Sequence, residues 1–191
     1  MMSNRQTEII QATLNLIAEK GLSAVTMKDI ADQFKISDAA LYKHFRSKNE
    51  ILSGVAGLFE QDARRVLDTI DSVGSPLKSV RTFFLDRCDT FARFPALSTI
   101  LLDNELLTDA SFGLQVKTMM EKHQKIILAY LRKGMELGEV RTDISAEHLF
   151  LVFMGSLRLL VRKWKFSGYG IDLSQEGRDL WESLEKMVRP L

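Results

Sequence analysis

Three helix-start signals lie within one short stretch of the chain, from Thr26 to Glu50. Thr26 stands three residues before an aspartate, which is capping-box spacing. Ser37 precedes an acidic residue and two alanines, so a hydroxyl cap and a carboxylate meet the start of a second helix. Ser47 and Glu50 form a full capping box for a third helix. Because only about two helical turns fit between the last two signals, residues 26–45 are typical of a helix-turn-helix motif.

Apolar residues in this stretch recur at helical spacing, and polar residues occupy the other side. The inward set is predicted to be Met27, Ile30, Ala31, Phe34, Ile36, Leu41 and Phe45. The outward set is Asp38, Ala39, Tyr42, Lys43 and Arg46. An α-helix about 10–12 Å wide fits a DNA major groove about 12 Å wide. The alternative is an ordinary helical hairpin in a core, which the coincidence of caps, turn and outward polar residues disfavours.

The residues of this motif form a recognisable pattern: Thr26-x-x-x-Ile30-Ala31, Ile36-Ser37, Leu41-Tyr42-Lys43-His44-Phe45 and Lys48-x-Glu50-x-Leu52. In this pattern and its spacing the chain resembles the TetR family of bacterial helix-turn-helix transcriptional regulators, over about residues 5–60. One departure is Lys35, where the family usually has a glycine in the turn. A left-handed turn conformation costs a residue with a side chain on the order of 1 kcal/mol.

The resemblance implies an all-α, TetR-like fold of about nine helices. It also implies a helix-turn-helix DNA-binding domain over residues 1–60 and a ligand-binding and dimerisation domain over residues 61–191. The chain contains no long alternating stretch, which also favours helices over strands. Outside the motif, periodicity and breakers predict helices over residues 5–20, 48–70, 77–94, 96–107, 109–137, 145–166 and 174–188. The long helix 48–70 is expected to link the two domains mechanically.

Two kinds of DNA contact are expected from the motif. Phosphate contacts are predicted for Thr26, Ser37, Tyr42 and Lys48, and a helix N-terminus at Lys48 also favours phosphate. Contacts with base edges or thymine methyl groups are predicted for Lys28, Ala39, Lys43 and His44.

The overall charge says little about partners, because the formal net charge is only +1. Residues 1–50 hold seven Lys and Arg residues against six Asp and Glu residues. The placement of charge carries the argument for nucleic acid, since four cations cluster around the helix starts: Lys28, Lys43, Arg46 and Lys48.

The chain is predicted to be cytoplasmic, bacterial and nucleoid-associated, with no membrane partner. Its only cysteine, Cys88, excludes an intrachain disulfide and fits a reducing compartment. A buried inert thiol is the favoured interpretation of Cys88, and a redox sensor is the alternative. The N-terminus has no apolar signal core, and the apolar run Leu149–Gly155 is far shorter than the roughly 20 residues of a membrane span.

The second domain is rich in Phe and Met with a few polar residues among them, which predicts a pocket for an apolar or amphipathic small molecule. For each residue, ordinary core packing is the competing interpretation. The candidate pocket residues are Phe84, Arg87, Cys88, Phe91, Met120, His123, Ile127, Tyr130 and Phe153. No cofactor or metal is expected, because the three histidines are widely separated. No catalytic motif is present, so an enzyme is not predicted.

Wide apolar faces on the last two predicted helices suggest contact between subunits, with internal packing as the alternative. The predicted interface consists of Phe153, Leu157, Leu160, Trp164, Trp181, Leu184, Met187 and Val188. By resemblance, these helices form a four-helix bundle between two subunits. A two-fold dimer places two recognition helices about 34–36 Å apart, which predicts a palindromic operator.

These observations favour a homodimeric transcriptional regulator, by resemblance a repressor, that an inducer releases from DNA by shifting the long helix. One alternative is a TetR-like DNA-binding protein that acts in nucleoid or division control through a protein partner. The other is a helical binding or carrier protein with a vestigial DNA-binding head.

Overall fold

The computed structural model describes residues 3–21, 23–70, 74–102 and 112–190. The described residues form helices and no strand, which confirms the all-α prediction. In chain order the helices are α1 (Asn4–Lys20), α2 (Met27–Gln33), α3 (Asp38–Tyr42), α4 (Lys48–Ile70), α5 (Pro76–Arg93), α6 (Pro95–Leu102), α7 (Phe112–Glu136), α8 (Ala146–Phe166) and α9 (Leu173–Val188).

The three predicted helix starts of the motif are confirmed. The Thr26 hydroxyl accepts a hydrogen bond from the amide of Asp29 at 3.2 Å, and the Asp29 carboxylate accepts one from the Thr26 amide at 2.9 Å. The Ser37 hydroxyl accepts from the amide of Ala40 at 3.2 Å. The Ser47 hydroxyl accepts from the amide of Glu50, also at 3.2 Å. These bonds satisfy backbone donors that a helix start otherwise leaves open.

Helix boundaries elsewhere agree with the sequence to within a few residues, with one correction at α9. Its N-cap is Asp172, whose carboxylate accepts from the amide of Gln175 at 2.9 Å, so the helix starts before the predicted Ser174. The ends predicted at residue 107 and at Thr108-Asp109 lie outside the described residues.

Packing divides the chain into two units. Unit 1 comprises Met1–Asp62 and Phe94–Met119, and unit 2 comprises Ala63–Arg93 and Met120–Leu191. Helices α4 and α7 each contribute residues to both units. In unit 1, α1 packs against α2 and α6, and α2 packs against α3. The division into two contiguous domains at residue 60 stays a prediction.

The core of unit 2 is centred on Trp181 of α9, which has no exposed surface. Its ring lies 5.5 Å from the ring of Phe84 and 5.2 Å from that of Phe153, so α9 packs on both α5 and α8. The indole nitrogen donates a hydrogen bond to the Glu185 carboxylate at 2.8 Å. Gly177, one turn earlier on α9, permits a close approach: a Cβ there would lie 2.6 Å from the sulfur of Cys88 on α5.

None of the helices within the described ranges has both the length and the apolar composition that a membrane span requires.

Candidate nucleic-acid interface

Helix α3 is short, and most of its surface faces solvent. It has five residues, and Leu41 is its only buried side chain. Asp38, Ala39 and Tyr42 are exposed, with Tyr42 exposing 51% of its surface. Lys43, which follows at the C-cap, is exposed as well. A single apolar anchor thus holds a helix whose other side chains remain available to a partner.

The turn before α3 is left-handed at Lys35, the position where the family pattern usually has a glycine. Its φ is +52°, a value that favours glycine. The amide of Lys35 donates a hydrogen bond to the Asp32 carbonyl at 3.0 Å, and the amide of Ile36 donates one to the Ala31 carbonyl at 3.1 Å. These bonds hold the turn in the motif without the family's usual glycine.

The start of α2 carries a small network of charge around Asp29. The ammonium of Lys20 lies 2.7 Å from the Asp29 carboxylate, and the Thr26 hydroxyl donates to the same carboxylate. Hydrogen bonds from Lys20 first, and then from Thr26, hold the pKa of Asp29 well below its usual range. The Thr26 hydroxyl is therefore engaged in the cap, while the residue itself stays exposed.

Helix α1 is tied directly to the end of the recognition helix through Gln6. The Gln6 side-chain oxygen accepts from the amide of Ser3 at 2.9 Å, completing the α1 capping box. The Gln6 side-chain nitrogen donates to the carbonyl of His44 at 3.1 Å. Sequence reasoning missed Gln6, although the spacing Ser3-x-x-Gln6 is a capping-box signal.

The eight predicted DNA-contacting residues all lie in unit 1, at the starts of α2 and α4 and along α3. His44 and Lys48 are half-buried, and burial lowers the pKa of the Lys48 ammonium. The other six are exposed: Thr26, Lys28, Ser37, Ala39, Tyr42 and Lys43. Their individual contacts with DNA stay predictions.

In unit 2, the predicted pocket residues fall into two groups. Phe84 and Phe153 meet around Trp181. Arg87 and His123 meet around Phe83, a residue that sequence reasoning left out of the set: the guanidinium lies 5.5 Å and the imidazole 5.6 Å from its ring. Cys88, Phe91 and Ile127 are also buried, Tyr130 is half-buried and Met120 is exposed.

Cys88 has no exposed surface, and burial raises the pKa of its thiol to about 12. A thiol with that pKa is almost entirely protonated at neutral pH, and the thiolate is the reactive form. The structure therefore favours the inert thiol over the redox sensor.

Most of the predicted interface residues are buried within a single chain, and their contact with a second subunit stays a prediction. Seven of the eight expose between 0 and 7% of their surface, and only Met187 is exposed. The seven are Phe153, Leu157, Leu160, Trp164, Trp181, Leu184 and Val188. Within a single chain they form core contacts, and their large apolar side chains are already removed from water.

A different face of α8 and α9 carries the exposed apolar residues. On α8 these are Leu151, Val152, Leu159 and Phe166, and on α9 the exposed residue is Met187. Between the two helices lies a groove of about 460 Å³ whose lining includes Leu159, Leu160 and Leu180. Sequence periodicity identified the apolar residues of the two helices, but not which of them a single chain leaves exposed.

The short capped helices, the left-handed turn and the outward side chains of α3 together define a helix-turn-helix DNA-binding protein. Residues 9–55 match the family model described as bacterial regulatory proteins, tetR family. Two curated relatives match nearly the whole chain. The HTH-type transcriptional repressor KstR2 of Mycobacterium tuberculosis is 26% identical over 180 residues, covering 93% of this chain and 89% of that protein. The nucleoid occlusion factor SlmA of Vibrio vulnificus is 26% identical over 195 residues, covering 98% and 97%.

Solved structures agree with this fold. The structure of the ketosteroid transcriptional regulator KstR2 of Mycobacterium tuberculosis has a TM-score of 0.86 at 24% identity, covering 100% of this chain and 98% of that one. The transcriptional regulator FadR from Bacillus subtilis, in complex with stearoyl-CoA, has a TM-score of 0.78 at 20% identity, covering 95% and 97%. The resemblance to the TetR family is confirmed over the helix-turn-helix segment: residues 9–55 match that family's model, and transcriptional regulators are similar over most of the chain.

Proposed function

We propose that this regulator is a repressor that binds a palindromic operator as a homodimer and is released by a small apolar or amphipathic ligand. The observation that carries the proposal is α3: a capped helix with one buried anchor, Leu41, and an outward polar surface. Repression is supported by the similarity to the transcriptional repressor KstR2, which extends well beyond the helix-turn-helix motif.

The DNA-binding part is tested with fragments that the wild-type protein selects from a random duplex pool. Tyr42→Ala is expected to abolish the gel shift, because the exposed ring and hydroxyl are lost while Leu41 still anchors the helix. Tyr42→Phe removes the hydroxyl and keeps the ring, so it distinguishes the contribution of the hydroxyl to DNA binding from that of the ring. An unchanged shift with Tyr42→Ala, at unchanged circular dichroism, would refute the assignment.

A pair of lysines provides a matched charge test. Lys43 and Lys186 are both exposed, but Lys43 follows α3 and Lys186 lies near the end of α9. Lys43→Ala is expected to weaken DNA binding and to reduce the salt dependence, since fewer counterions are released. Lys186→Ala serves as the control. Equal effects of the two substitutions would contradict a localised contact surface.

The homodimer is proposed to form through the exposed apolar face of α8 and α9. Leu151, Gly155 and Leu159 follow one another at four-residue spacing, so they lie along one side of α8. Leu159 exposes 67% of its surface, and a Cβ at Gly155 would meet nothing within 4 Å, which leaves room for a second helix. A large exposed apolar surface of this kind favours contact with another protein surface.

Leu159→Glu is expected to convert the dimer into a monomer in sedimentation velocity at micromolar concentration, because it introduces a charge into an apolar contact. Leu137→Glu is the matched control, since Leu137 is also exposed but lies after the end of α7. A wild-type monomer, or equal dissociation by both variants, would contradict the proposed interface.

The ligand is proposed to bind unit 2, where aromatic side chains surround a few polar groups. The Arg87 and His123 side chains, both close to the Phe83 ring, provide polar groups within an apolar interior. The stearoyl-CoA in the FadR complex is an amphipathic molecule of the class that we propose. Release requires that the ligand bind the DNA-free conformation more tightly than the DNA-bound one.

Stearoyl-CoA, stearate and coenzyme A form a panel that separates the apolar chain from the polar head. A ligand at about 100 times its Kd stabilises the folded state by about 2.7 kcal/mol, so thermal denaturation detects it. The ligand that raises Tm is expected to reduce the gel shift. A ligand that raises Tm and leaves DNA binding unchanged would contradict release.

A second candidate function is nucleoid or division control through a protein partner, which the SlmA relative favours. Genome-wide binding of the tagged protein discriminates the two. A few palindromic sites beside particular genes support the repressor, whereas many dispersed sites support the alternative.

A further inference from the structure

The first residue of the recognition helix is an exposed acid, Asp38. Within the described part of the chain, no hydrogen bond or ion pair engages its carboxylate. Asp29 at the start of α2 is different, because Lys20 and Thr26 bind its carboxylate. Of these two helix-start acids, Asp29 is compensated by its neighbours and Asp38 is left open to a partner.

A free carboxylate on this surface opposes binding to DNA in general. Phosphate attraction provides most of the non-specific affinity of a DNA-binding protein, and a negative charge beside the phosphates weakens it. A repulsive element of this kind improves specificity if one base sequence offsets the repulsion and others do not. A base that donates a hydrogen bond to the Asp38 carboxylate would offset this repulsion.

The position of Asp38 suits contact with a base. In helix-turn-helix proteins the N-terminal residues of the recognition helix approach the base edges of the major groove. The neighbouring Ala39 is small and exposed, so it does not hold α3 away from the groove. Among bases, cytosine presents an exocyclic N4 amine, for which Asp and Glu are the matching acceptors.

We propose that Asp38 is a specificity-determining residue that accepts a hydrogen bond from the N4 amine of a cytosine in each operator half-site. Tyr42 and Lys48, both predicted to contact phosphates, supply contacts that any DNA can satisfy, and Asp38 makes the net attraction depend on one base pair. This inference rests on the DNA-binding role of α3.

The test is selection from a random duplex pool by the wild-type protein, Asp38→Asn, Asp38→Ala and the control Asp32→Ala. Asp32 is an exposed acid on α2, so its removal changes the charge of the same unit by the same amount. The wild-type protein is expected to select cytosine at one position of each half-site, by about tenfold over other bases. Asp38→Ala is expected to lose this preference and to bind random duplex several-fold more tightly at low salt.

Asp38→Asn is expected to change the selected base from cytosine to adenine, because an amide side chain pairs with the adenine N6 and N7 groups. If Asp38→Ala fails to form α3, Asp38→Asn still tests the inference, since asparagine keeps a polar side chain at the helix start. An unchanged selected sequence for Asp38→Asn, or an equal loss of preference in Asp32→Ala, would overturn the inference. A wild-type protein that selects no sequence would instead refute the proposed operator binding.

Discussion

The α2–α3 pair and the α8–α9 pair are both two consecutive helices with apolar residues at helical spacing, yet their sequences were not equally informative. Helix α3 has five residues and one buried side chain, so few arrangements are consistent with its pattern. Helices α8 and α9 have 21 and 16 residues, and both carry buried and exposed apolar side chains. A short helix with one anchor reveals its outward face, whereas a long helix with apolar residues on two faces does not.

The tryptophans illustrate this difference. Trp164 and Trp181 are predicted between subunits because they lie in wide apolar faces on two consecutive helices. The structure buries both within unit 2, and Trp164 packs edge-on against Tyr169 with ring centroids 4.6 Å apart. Residue type and periodicity identified apolar surface, but the packing of α5 against α9 determined which part of it is internal.

The strongest test of this assignment is Trp181→Ala. Truncation of a fully buried Trp is expected to lower the free energy of unfolding by about 3–5 kcal/mol, because it leaves a cavity beside Phe84 and Phe153. Urea denaturation measures the loss, which should not depend on protein concentration. A loss that vanishes at high protein concentration would place Trp181 between subunits and contradict its assignment to the core of unit 2.

A smaller effect is expected from Gly177→Ala. The added Cβ would lie 2.6 Å from the Cys88 sulfur, and overpacking costs about 1–3 kcal/mol, which exceeds the gain of about 1 kcal/mol in helix propensity.

The matched background is Cys88→Ala, which removes the sulfur. In that background Gly177→Ala is expected to cost less, although the Cβ of residue 88 would still lie 3.0 Å from the added Cβ. Denaturation of the two single variants and the double variant measures the coupling, and simple additivity would refute the close contact.

In the head, Lys35→Gly is expected to stabilise the protein. The left-handed conformation at φ +52° costs a non-glycine residue about 1–2 kcal/mol, and glycine loses about 0.5–1 kcal/mol of this gain through its more flexible unfolded state. The net increase of about 0.5–1 kcal/mol is measurable by thermal denaturation. Lys35→Ala keeps a Cβ and is the control; an equal increase there would assign the effect to charge.

The smallest expected effect concerns pH. Hydrogen bonds from Lys20 and Thr26 depress the pKa of Asp29 below its ordinary value of 3.8 in the folded state. The ionised Asp29 carboxylate therefore contributes its full stabilisation above pH 3.8, the ordinary pKa. This contribution is lost as the pH falls through the lower pKa of the folded state. Asp29→Asn is expected to flatten the acid denaturation curve in this range, and Lys20→Met to flatten it in part. Identical acid curves for all three proteins would contradict the network.

The head was predictable largely because its determinants are local. The hydroxyls of Thr26, Ser37 and Ser47 act on amides three residues away, and Lys35 was recognised from its place in the turn. The contact of Gly177 with Cys88 joins residues far apart in the chain, as does the contact of Phe83 with His123. Such contacts depend on how the helices pack, which periodicity does not specify.

Gln6 gives the start of α1 a direct connection to the DNA-reading surface, since one side chain bonds both the Ser3 amide and the His44 carbonyl. Fraying of the first turn and loosening of the recognition helix are therefore thermodynamically linked. Operator binding should therefore slow hydrogen exchange at the amides of the first turn of α1. For the same reason, a fusion tag placed before Ser3 risks weakening the operator affinity that it is used to measure.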